Sequence, residues 1–291
     1  MNFIINLIGG LSLGGIYAMI ALGYTMVYGI AKMLNFAHGD VIMVGAYMLY
    51  VTLLAASLPA WVGIVIATLV CTVFGIVIER FAYKPLRGAS PLAVLITAIG
   101  VSYLLQAIAQ IVFGSEQKMV TALMIPGSLE LGDLKIAYST LITLAVGVVI
   151  MSALTIFVKY TKIGRAMLAV SEDKDAARLM GVDVNFVIMI TFMIGSALAA
   201  VAGVFTLMKS PSVMPTLGAM PGIKAFTAAV IGGIGSIPGA VLGGLLLGVV
   251  EAICLKTPIA AYTDAIEFAI LIIILLVKPS GLLGKKRREK V

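Results

Sequence analysis

The chain alternates between long uncharged apolar runs and short stretches in which its charged residues are gathered. Six runs contain no Asp, Glu, Lys or Arg, and they cover 1–31, 41–78, 88–115, 136–158, 184–208 and 225–250. About 20 apolar residues suffice to cross a bilayer as an α-helix. The pattern therefore predicts membrane crossings at 5–31, 41–57, 60–79, 91–113, 138–158, 186–208 and 260–278.

The stretch 223–255 predicts a further pair of helices separated by a break. Pro238 and four glycines interrupt the apolar pattern in "GGIGSIPGA" at 232–240. In a helix interior Pro costs about 3 kcal/mol and Gly about 1 kcal/mol, and at membrane depth the freed backbone groups need protein or a cavity to satisfy them. We predict an all-α fold: a polytopic transmembrane helical bundle of about 8–9 passes with interrupted helices, forming a single domain over 1–291.

Composition agrees with a membrane protein. Hydrophobic residues make up 62% of the 291 residues and charged residues only 11%, against about 25% charged in a typical soluble domain. The formal net charge of +7 does not indicate a nucleic-acid partner, because much of it lies in "KKRREK" at 285–290 and in short loops between helices. That distribution is typical of the cytoplasmic side of a membrane protein.

The loop charges also predict an orientation. A cytoplasmic tail at 285–290 places the basic loops 79–90 and 159–185 on the cytoplasmic side as well, provided that the broken pair enters from outside and returns. This arrangement gives about nine passes, with the N-terminus outside and the C-terminus inside. The loop 114–137, which carries two Lys and three acids, then lies on the outer face.

The chain's single histidine lies in a polar cluster between two apolar runs, in "MLNFAHGDVIM" at 33–43. One interpretation is a loop at the cytoplasmic surface in which Asp40 caps the next helix. The other is a discontinuous helix that lines a translocation path, with a half-helix N-terminus facing a substrate carboxylate and Asp40 or backbone carbonyls facing an ammonium group. The candidate path comprises Asn35, His38, Gly39 and Asp40 together with Gly233, Gly235 and Ser236 of the second break.

The loop 159–185 contains the features of a short amphipathic helix over 171–181. We expect Ser171 to be its N-cap, Glu172 to lie in its first turn and Gly181 to end it. Such a helix suits a groove on a partner subunit or the lipid headgroups, and four acids within 172–183 argue against anionic lipid. The residues assigned to partner contact are Glu172, Asp175, Ala176, Ala177, Arg178, Leu179, Met180 and Gly181.

Several of these motifs together resemble a known family. "DAARLMG" at 175–181 resembles the EAA coupling loop of bacterial ABC importer permeases, with Asp175 in place of the Glu. With "LNFAHGD" at 34–40, "VIGGIGSIPGAVLGGLLLG" at 230–248 and "KPSGLLG" at 278–284, the chain is similar to the LivH-type permeases of branched-chain amino acid ABC transporters. The resemblance extends over nearly the whole sequence.

The resemblance implies a subunit of an ATP-driven importer in the bacterial inner membrane. Its partners would be a second, related permease in a heterodimer, two cytoplasmic ABC ATPases and a periplasmic solute-binding protein. The coupling helix at 171–181 would dock on an ATPase, and ATP and Mg²⁺ would be bound by the ATPases, with no cofactor in this chain. Related permeases carry other small polar solutes such as urea and amides, and that alternative stays open.

Other classes of membrane protein find less support in the sequence. An intramembrane enzyme would need a catalytic constellation, but the chain has one histidine and neither HExxH nor GxSxG. A lone His38 is more typical of a hydrogen-bonded structural residue than of a ligand or base. An ion-coupled secondary transporter usually buries acids in mid-helix, whereas the acids here lie near predicted helix ends (Asp40, Glu79, Glu251, Asp264 and Glu267).

Overall fold

The computed structural model describes residues 2–123, 125–131 and 134–284. It confirms the all-α bundle, since 78% of the described residues are helical. The helices among the described residues are α1 (Asn2–Ala31), α2 (His38–Tyr50), α3 (Ala60–Ile78), α4 (Pro91–Phe113), α5 (Tyr138–Tyr160), α6 (Lys162–Glu172), α7 (Lys174–Leu179), α8 (Val184–Lys209), α9 (Ala219–Gly232), α10 (Ile237–Cys254) and α11 (Thr263–Val277). Single π-helical turns extend α2 over Val51–Ala55 and α3 over Glu79–Tyr83.

The predicted number of crossings agrees with the helix lengths. In the described part of the chain, eight helical segments are long and apolar enough to cross a membrane, and the 14-residue α9 is a shorter apolar helix. The predicted break at 232–240 is present: α9 ends at Gly232 and α10 begins at Ile237. Pro238 lies in the first turn of α10, where the backbone N–H that it lacks needs no helical partner.

Glycines bring α1 and α10 together at the centre of the bundle. A Cβ added to Gly244 would lie 2.5 Å from the Cα of Ala18, and one added to Gly248 would lie 2.1 Å from the backbone nitrogen of Gly14. Lipid provides no hydrophobic driving force between helices, so such close backbone packing is a main source of helix–helix attraction in a membrane. Gly244 and Gly248 of α10 therefore contribute to the core.

The described connections divide between two ends of the bundle. At one end, the "coupling-loop end", α6 lies next to α1 and to the start of α10, and α7 lies next to the end of α1. There the backbone N–H groups of Leu282 and Leu283 donate to the carbonyls of Ile231 and Gly232 at 2.8 and 2.9 Å. Residues 278–284 thereby complete the last turn of α9.

The opposite end, the "strand end", carries the only strands among the described residues. Strand β1 (Lys118–Met119) pairs antiparallel with β4 (Ser212–Val213), and β2 (Ser128–Leu131) pairs with β3 (Leu134–Ala137). The sequence predicted the loop 114–137 without strands. β1 and β4 have two residues each, and β2 and β3 have four each, so any alternation of apolar and polar residues is too short to stand out as a strand signal.

Candidate coupling surface and translocation path

The loop between α5 and α8 folds differently from the predicted single helix over 171–181. Ser171 is not an N-cap, because α6 runs through it to Glu172 and the Ser171 hydroxyl donates to the carbonyl of Leu168 at 2.7 Å. The cap of α7 is Asp173, whose Oδ1 accepts from the backbone N–H groups of Asp175 and Ala176 at 2.9 and 3.0 Å. Glu172 accordingly ends α6 and does not lie in the first turn of α7.

The predicted role of Gly181 at the end of the helix is confirmed. Gly181 has a φ of +82°, which non-glycine residues adopt only with strain. The Gly181 N–H donates to the carbonyl of Arg178 at 3.0 Å, and the Val182 N–H donates to the carbonyl of Ala177 at 3.0 Å. This pair of bonds is a Schellman motif, which satisfies the last carbonyls of α7.

Most of the α7 side chains predicted to contact a partner point away from the protein. Ala177 is the exception: it is 4% exposed and packs into the core. Leu179 and Met180 are 89% and 84% exposed, and they form the "α7 tip". The remaining predicted contact residues are also exposed (Glu172, Asp175, Ala176, Arg178 and Gly181). Two adjacent, largely exposed apolar side chains at the end of a capped helix suit a binding surface.

A lysine connects α7 to the end of α1. The Lys174 ammonium donates to the carbonyl of Ala31, the last residue of α1, at 2.7 Å. Burial lowers the pKa of Lys174, and the nearby positive charges of Arg87 and Arg178 lower it further. A cation at a helix C-terminus interacts favourably with the helix dipole, so α7 and α1 are held together directly.

The polar cluster after α1 enters the interior of the bundle. The Asn35 Oδ1 accepts from the Tyr83 hydroxyl at 2.9 Å, and Asn35 is 4% exposed. His38 begins α2 beside Gly23 and Tyr24 of α1, and a Cβ on Gly23 would lie 2.4 Å from the His38 Nε2. Gly23 lies eight residues before the end of α1, or about 12 Å at 1.5 Å per residue. The start of α2 is therefore well inside the bundle.

The N-terminus of α2 meets the N-terminus of α9 at this depth. A Cβ on Gly218 would lie 1.8 Å from the carbonyl oxygen of Gly39, and one on Gly222 would lie 3.0 Å from the Gly39 Cα. Glycine at these positions lets the two backbones touch. Because the first N–H groups of a helix have no partner within the helix, two positively polarised helix ends converge on one point.

Asp40 lies beside this point. It is 1% exposed, and its Oδ1 accepts from the Gln106 Nε2 of α4 at 2.9 Å. It is therefore in the first turn of α2 and does not precede the helix as a cap. A cleft of about 310 Å³ opens between α4 and the two helix starts, lined among others by Tyr24, Asp40, Ser102, Gln106 and Gly222. We call this cleft the "α2–α9 cleft".

The other predicted path residues lie elsewhere. Gly233 and Gly235 have φ values of +107° and +95° and form the α9–α10 turn, and Ser236 caps α10 by accepting from the Gly239 N–H at 3.2 Å. Gly233 packs against Gly284. Because α9 has 14 residues, this turn is about 20 Å from the α2–α9 cleft. The structure does not bring the two predicted groups together.

Sequence reasoning missed one buried cluster of charges. Three of the acids placed near predicted helix ends, Glu251, Asp264 and Glu267, surround the ammonium of Lys224. Their positions near helix ends are confirmed, but those ends come together in the fold. Among the described residues, no group of His, Cys, Asp and Glu side chains is arranged to hold a metal ion. The basic tail at 285–290, from which the orientation was predicted, lies outside the described residues.

The sequence was compared with known proteins. Residues 6–275 match the family model described as "Branched-chain amino acid transport system / permease component". The high-affinity branched-chain amino acid transport system permease protein BraD of Pseudomonas aeruginosa is 44% identical, over 100% of this chain and 98% of its own length. LivH of Salmonella typhimurium is 43% identical with the same coverage. The solved structure of PsaBC from Streptococcus pneumoniae in complex with Fab matches at a TM-score of 0.49 and 18% identity, covering 96% of this chain and 93% of that one.

The family match covers most of the chain, and the two permeases match it from end to end at more than 40% identity. The resemblance inferred from "LNFAHGD" and "DAARLMG" is thereby confirmed. The chain belongs to the LivH-type family of permease components of branched-chain amino acid ABC transport systems.

Proposed function

We propose that this chain is one permease subunit of an ATP-driven importer of branched-chain amino acids in the bacterial inner membrane. Its partners are a second, related permease, two cytoplasmic ABC ATPases that bind ATP and Mg²⁺, and a periplasmic solute-binding protein. The chain itself carries no cofactor and catalyses no reaction. The observation that carries the coupling role is the exposed α7 tip at Leu179 and Met180.

The geometry of α7 supports docking on an ATPase. The Asp173 cap and the Schellman motif at Gly181 fix both ends of the helix, so α7 presents its tip without a large entropic cost on binding. Ala177 attaches the helix to the body of the subunit, while Asp175 and Arg178 form a charged rim around the tip. An apolar anchor surrounded by charges suits the helix-in-groove mode of recognition.

The Lys174 contact supplies a path from the ATPase to the membrane helices. Movement of α7 would act on the end of α1 through the Lys174–Ala31 hydrogen bond. The segment after α1 leads within a few residues to Asn35, His38 and the start of α2. A displacement at the coupling surface would therefore reach the α2–α9 cleft through a short, continuous piece of backbone.

The α2–α9 cleft fits a zwitterionic amino acid with an apolar side chain. Two helix N-termini favour a carboxylate, and the buried Asp40 carboxylate favours an ammonium group. Apolar side chains on the cleft wall, among them Phe36, Ile99 and Ile223, suit an aliphatic side chain. In this proposal Asn35, His38 and Gly39 position the helix start. Gly233, Gly235 and Ser236 contribute to the path only through the turn that orients α9.

The charges of the described loops support a cytoplasmic location for the coupling-loop end. Eight basic residues lie there on the loops 79–90 and 159–185: Arg80, Lys84, Arg87, Lys159, Lys162, Arg165, Lys174 and Arg178. Cytoplasmic loops carry such an excess of Lys and Arg. α7 would then face the compartment in which ATP is available.

Co-purification tests the coupling surface. The permease pair is expressed with its ATPases, and Leu179→Asp/Met180→Asp is compared with the matched change Met119→Asp/Leu129→Asp at the strand end, where Met119 and Leu129 are also exposed. We expect the α7 variant to insert in the membrane but to lose most of the co-purifying ATPase activity, and the strand-end variant to retain it. Equal retention by both variants would contradict the docking role of α7.

The substrate is tested separately. The complete transporter in proteoliposomes is supplied with radiolabelled leucine, and unlabelled isoleucine, valine, urea and acetamide are added as competitors. We expect competition by isoleucine and valine only. Competition by urea or acetamide would favour the alternative substrate class and leave the coupling assignment intact.

A further inference from the structure

The charge cluster around Lys224 lies apart from both the α7 tip and the α2–α9 cleft. The Lys224 Nζ lies 2.8 Å from Asp264 Oδ1, 3.1 Å from Glu251 Oε1 and 3.2 Å from Glu267 Oε2. One ammonium group on α9 thus contacts carboxyl groups from α10 and α11. The three N–H groups of the ammonium are sufficient for one contact with each carboxyl.

The cluster contains more acids than bases. From α1, the Tyr17 hydroxyl donates to Glu251 Oε2 at 2.6 Å. From α8, Lys209 interacts electrostatically with Glu251 without an ion pair. If all three carboxyl groups were ionised, their three negative charges would face two positive charges, one on Lys224 within the cluster and one on Lys209 beside it. Like charges this close in a low-dielectric interior disfavour full ionisation.

Glu267 is the group for which ionisation is hardest to accommodate. Its side chain is 0% exposed, whereas that of Asp264 is 53% exposed and reaches solvent. Neither Glu267 Oε1 nor Oε2 accepts a hydrogen bond of regular geometry within the described residues, although the Lys224 ammonium lies 3.2 Å from Oε2. Glu251 and Glu267 each place an oxygen within 3.2 Å of the same ammonium nitrogen, but two ionised carboxylates can only accept. The missing partner between them is a donor.

We propose that Glu251 and Glu267 form a proton-binding site in which one proton is shared between the two carboxyl groups. The proton supplies a hydrogen-bond donor between the two carboxyl groups and removes one of their negative charges. Paired carboxyl groups that share a proton are a known solution where like charges cannot both ionise. A metal ion is a poorer occupant, because the Lys224 ammonium already lies where the three carboxyl groups converge.

The site has a structural consequence for α9. Lys224 lies on the half-helix whose start forms one side of the α2–α9 cleft, and Glu251 and Glu267 belong to α10 and α11. The shared proton therefore joins α10 to α11, the two helices whose carboxyl groups contact Lys224 of α9. Loss of the proton would place a second ionised carboxylate in the buried pair and weaken the contact between α10 and α11, against which α9 packs. This inference depends on the cluster alone and not on the identity of the transported solute.

Infrared spectroscopy of the purified protein tests the site directly. The carbonyl band of a protonated carboxyl group is recorded at neutral pH in H₂O and D₂O for the parent and for Glu267→Gln. We expect the difference spectrum to contain a deuterium-sensitive band that is lost in the variant. Glu251→Gln should lose the same band, which makes the test independent of the folding of either variant alone.

Thermal unfolding provides the second measurement. We expect Glu267→Gln to melt at the temperature of the parent at neutral pH, because the amide N–H replaces the shared proton as donor and the net charge of the cluster is unchanged. The parent should lose stability as the pH rises, since the folded state binds a proton that the unfolded chain releases. The variant should lack this dependence.

Glu79→Gln is the matched control. Glu79 is also buried, with a side chain 3% exposed, but it pairs one to one with Arg87. We expect this variant to keep the infrared band and to melt below the parent. The proposal is overturned if the band is absent from the parent or survives in both Gln variants. It is also overturned if Na⁺, K⁺ or Ca²⁺ raises the melting temperature of the parent but not of Glu267→Gln, which would indicate a metal-ion site.

Discussion

The helix α7 is defined by one residue at each of its ends. Asp173 satisfies two N–H groups of its first turn, and Gly181 adopts a positive φ that closes the last turn. Ser171 and Asp173 are both good N-cap residues by type, so their side chains alone do not rank them. In the structure α6 begins at Lys162, with Gly164 tight against Val158, and continues through Ser171 to Glu172, which leaves Asp173 as the cap of α7.

This assignment of the cap gives a residue-scale prediction. Asp173→Ala should destabilise α7 by about 0.5–2 kcal/mol, since two N–H groups lose their acceptor. Because α7 carries the proposed docking tip, the amount of ATPase that co-purifies should fall as well. Ser171→Ala should leave ATPase recovery unchanged, because Ser171 bonds only to Leu168. A larger loss of ATPase recovery in Ser171→Ala than in Asp173→Ala would show that the coupling helix begins at Ser171, as the sequence alone predicted.

At the scale of elements, two short helices that run in opposite directions meet at their starts. The contact between α2 and α9 is made of backbone, because Gly39, Gly218 and Gly222 have no side chains to separate the helices. Helix ends are otherwise costly inside a membrane because their N–H groups lack partners. Their convergence beside Asp40 keeps these groups within the protein.

The contact gives an element-scale prediction. Gly218→Ala would place a Cβ 1.8 Å from the Gly39 carbonyl oxygen and should destabilise the protein by about 1–3 kcal/mol, as overpacking of a core does. Leucine uptake by the complete transporter should be lost. Gly100→Ala on α4, with no atom within 4 Å of the added Cβ, should retain the stability and the leucine uptake of the parent. Uptake of leucine by Gly218→Ala at the parental rate would contradict the role of this contact.

The elements also show how far sequence reasoning reaches. The crossings were predictable because each is a long apolar run, and the α9–α10 break because Pro238 and its neighbouring glycines mark it. The start of α2 was placed three residues late, since His38 and Asp40 were counted as part of the break. The Lys224 cluster could not be predicted, because Lys224, Glu251 and Glu267 are far apart in sequence and each looks like a single charge near a helix end.

For the whole molecule, the proposed function depends on the orientation of the chain in the membrane, because α7 has to face the cytoplasm. Cys71 and Cys254 are buried, so new cysteines can be labelled selectively. Glu172→Cys, on the exposed end of α6, should react with a membrane-impermeant maleimide in inverted inner-membrane vesicles and not in intact spheroplasts. Leu129→Cys at the strand end should show the reverse. Labelling of Glu172→Cys from the periplasmic side would remove α7 from the reach of the ATPases.

The bonds from Leu282 and Leu283 to the last carbonyls of α9 affect how the protein is made. Residues 278–284 are synthesised after α10 and α11, while α9 and its two carbonyls have already left the ribosome. At about 5–20 residues per second, the delay is roughly 3 to 10 seconds. During biosynthesis the half-helix therefore waits in an incomplete state, and its last turn closes only when the segment beyond α11 has been translated.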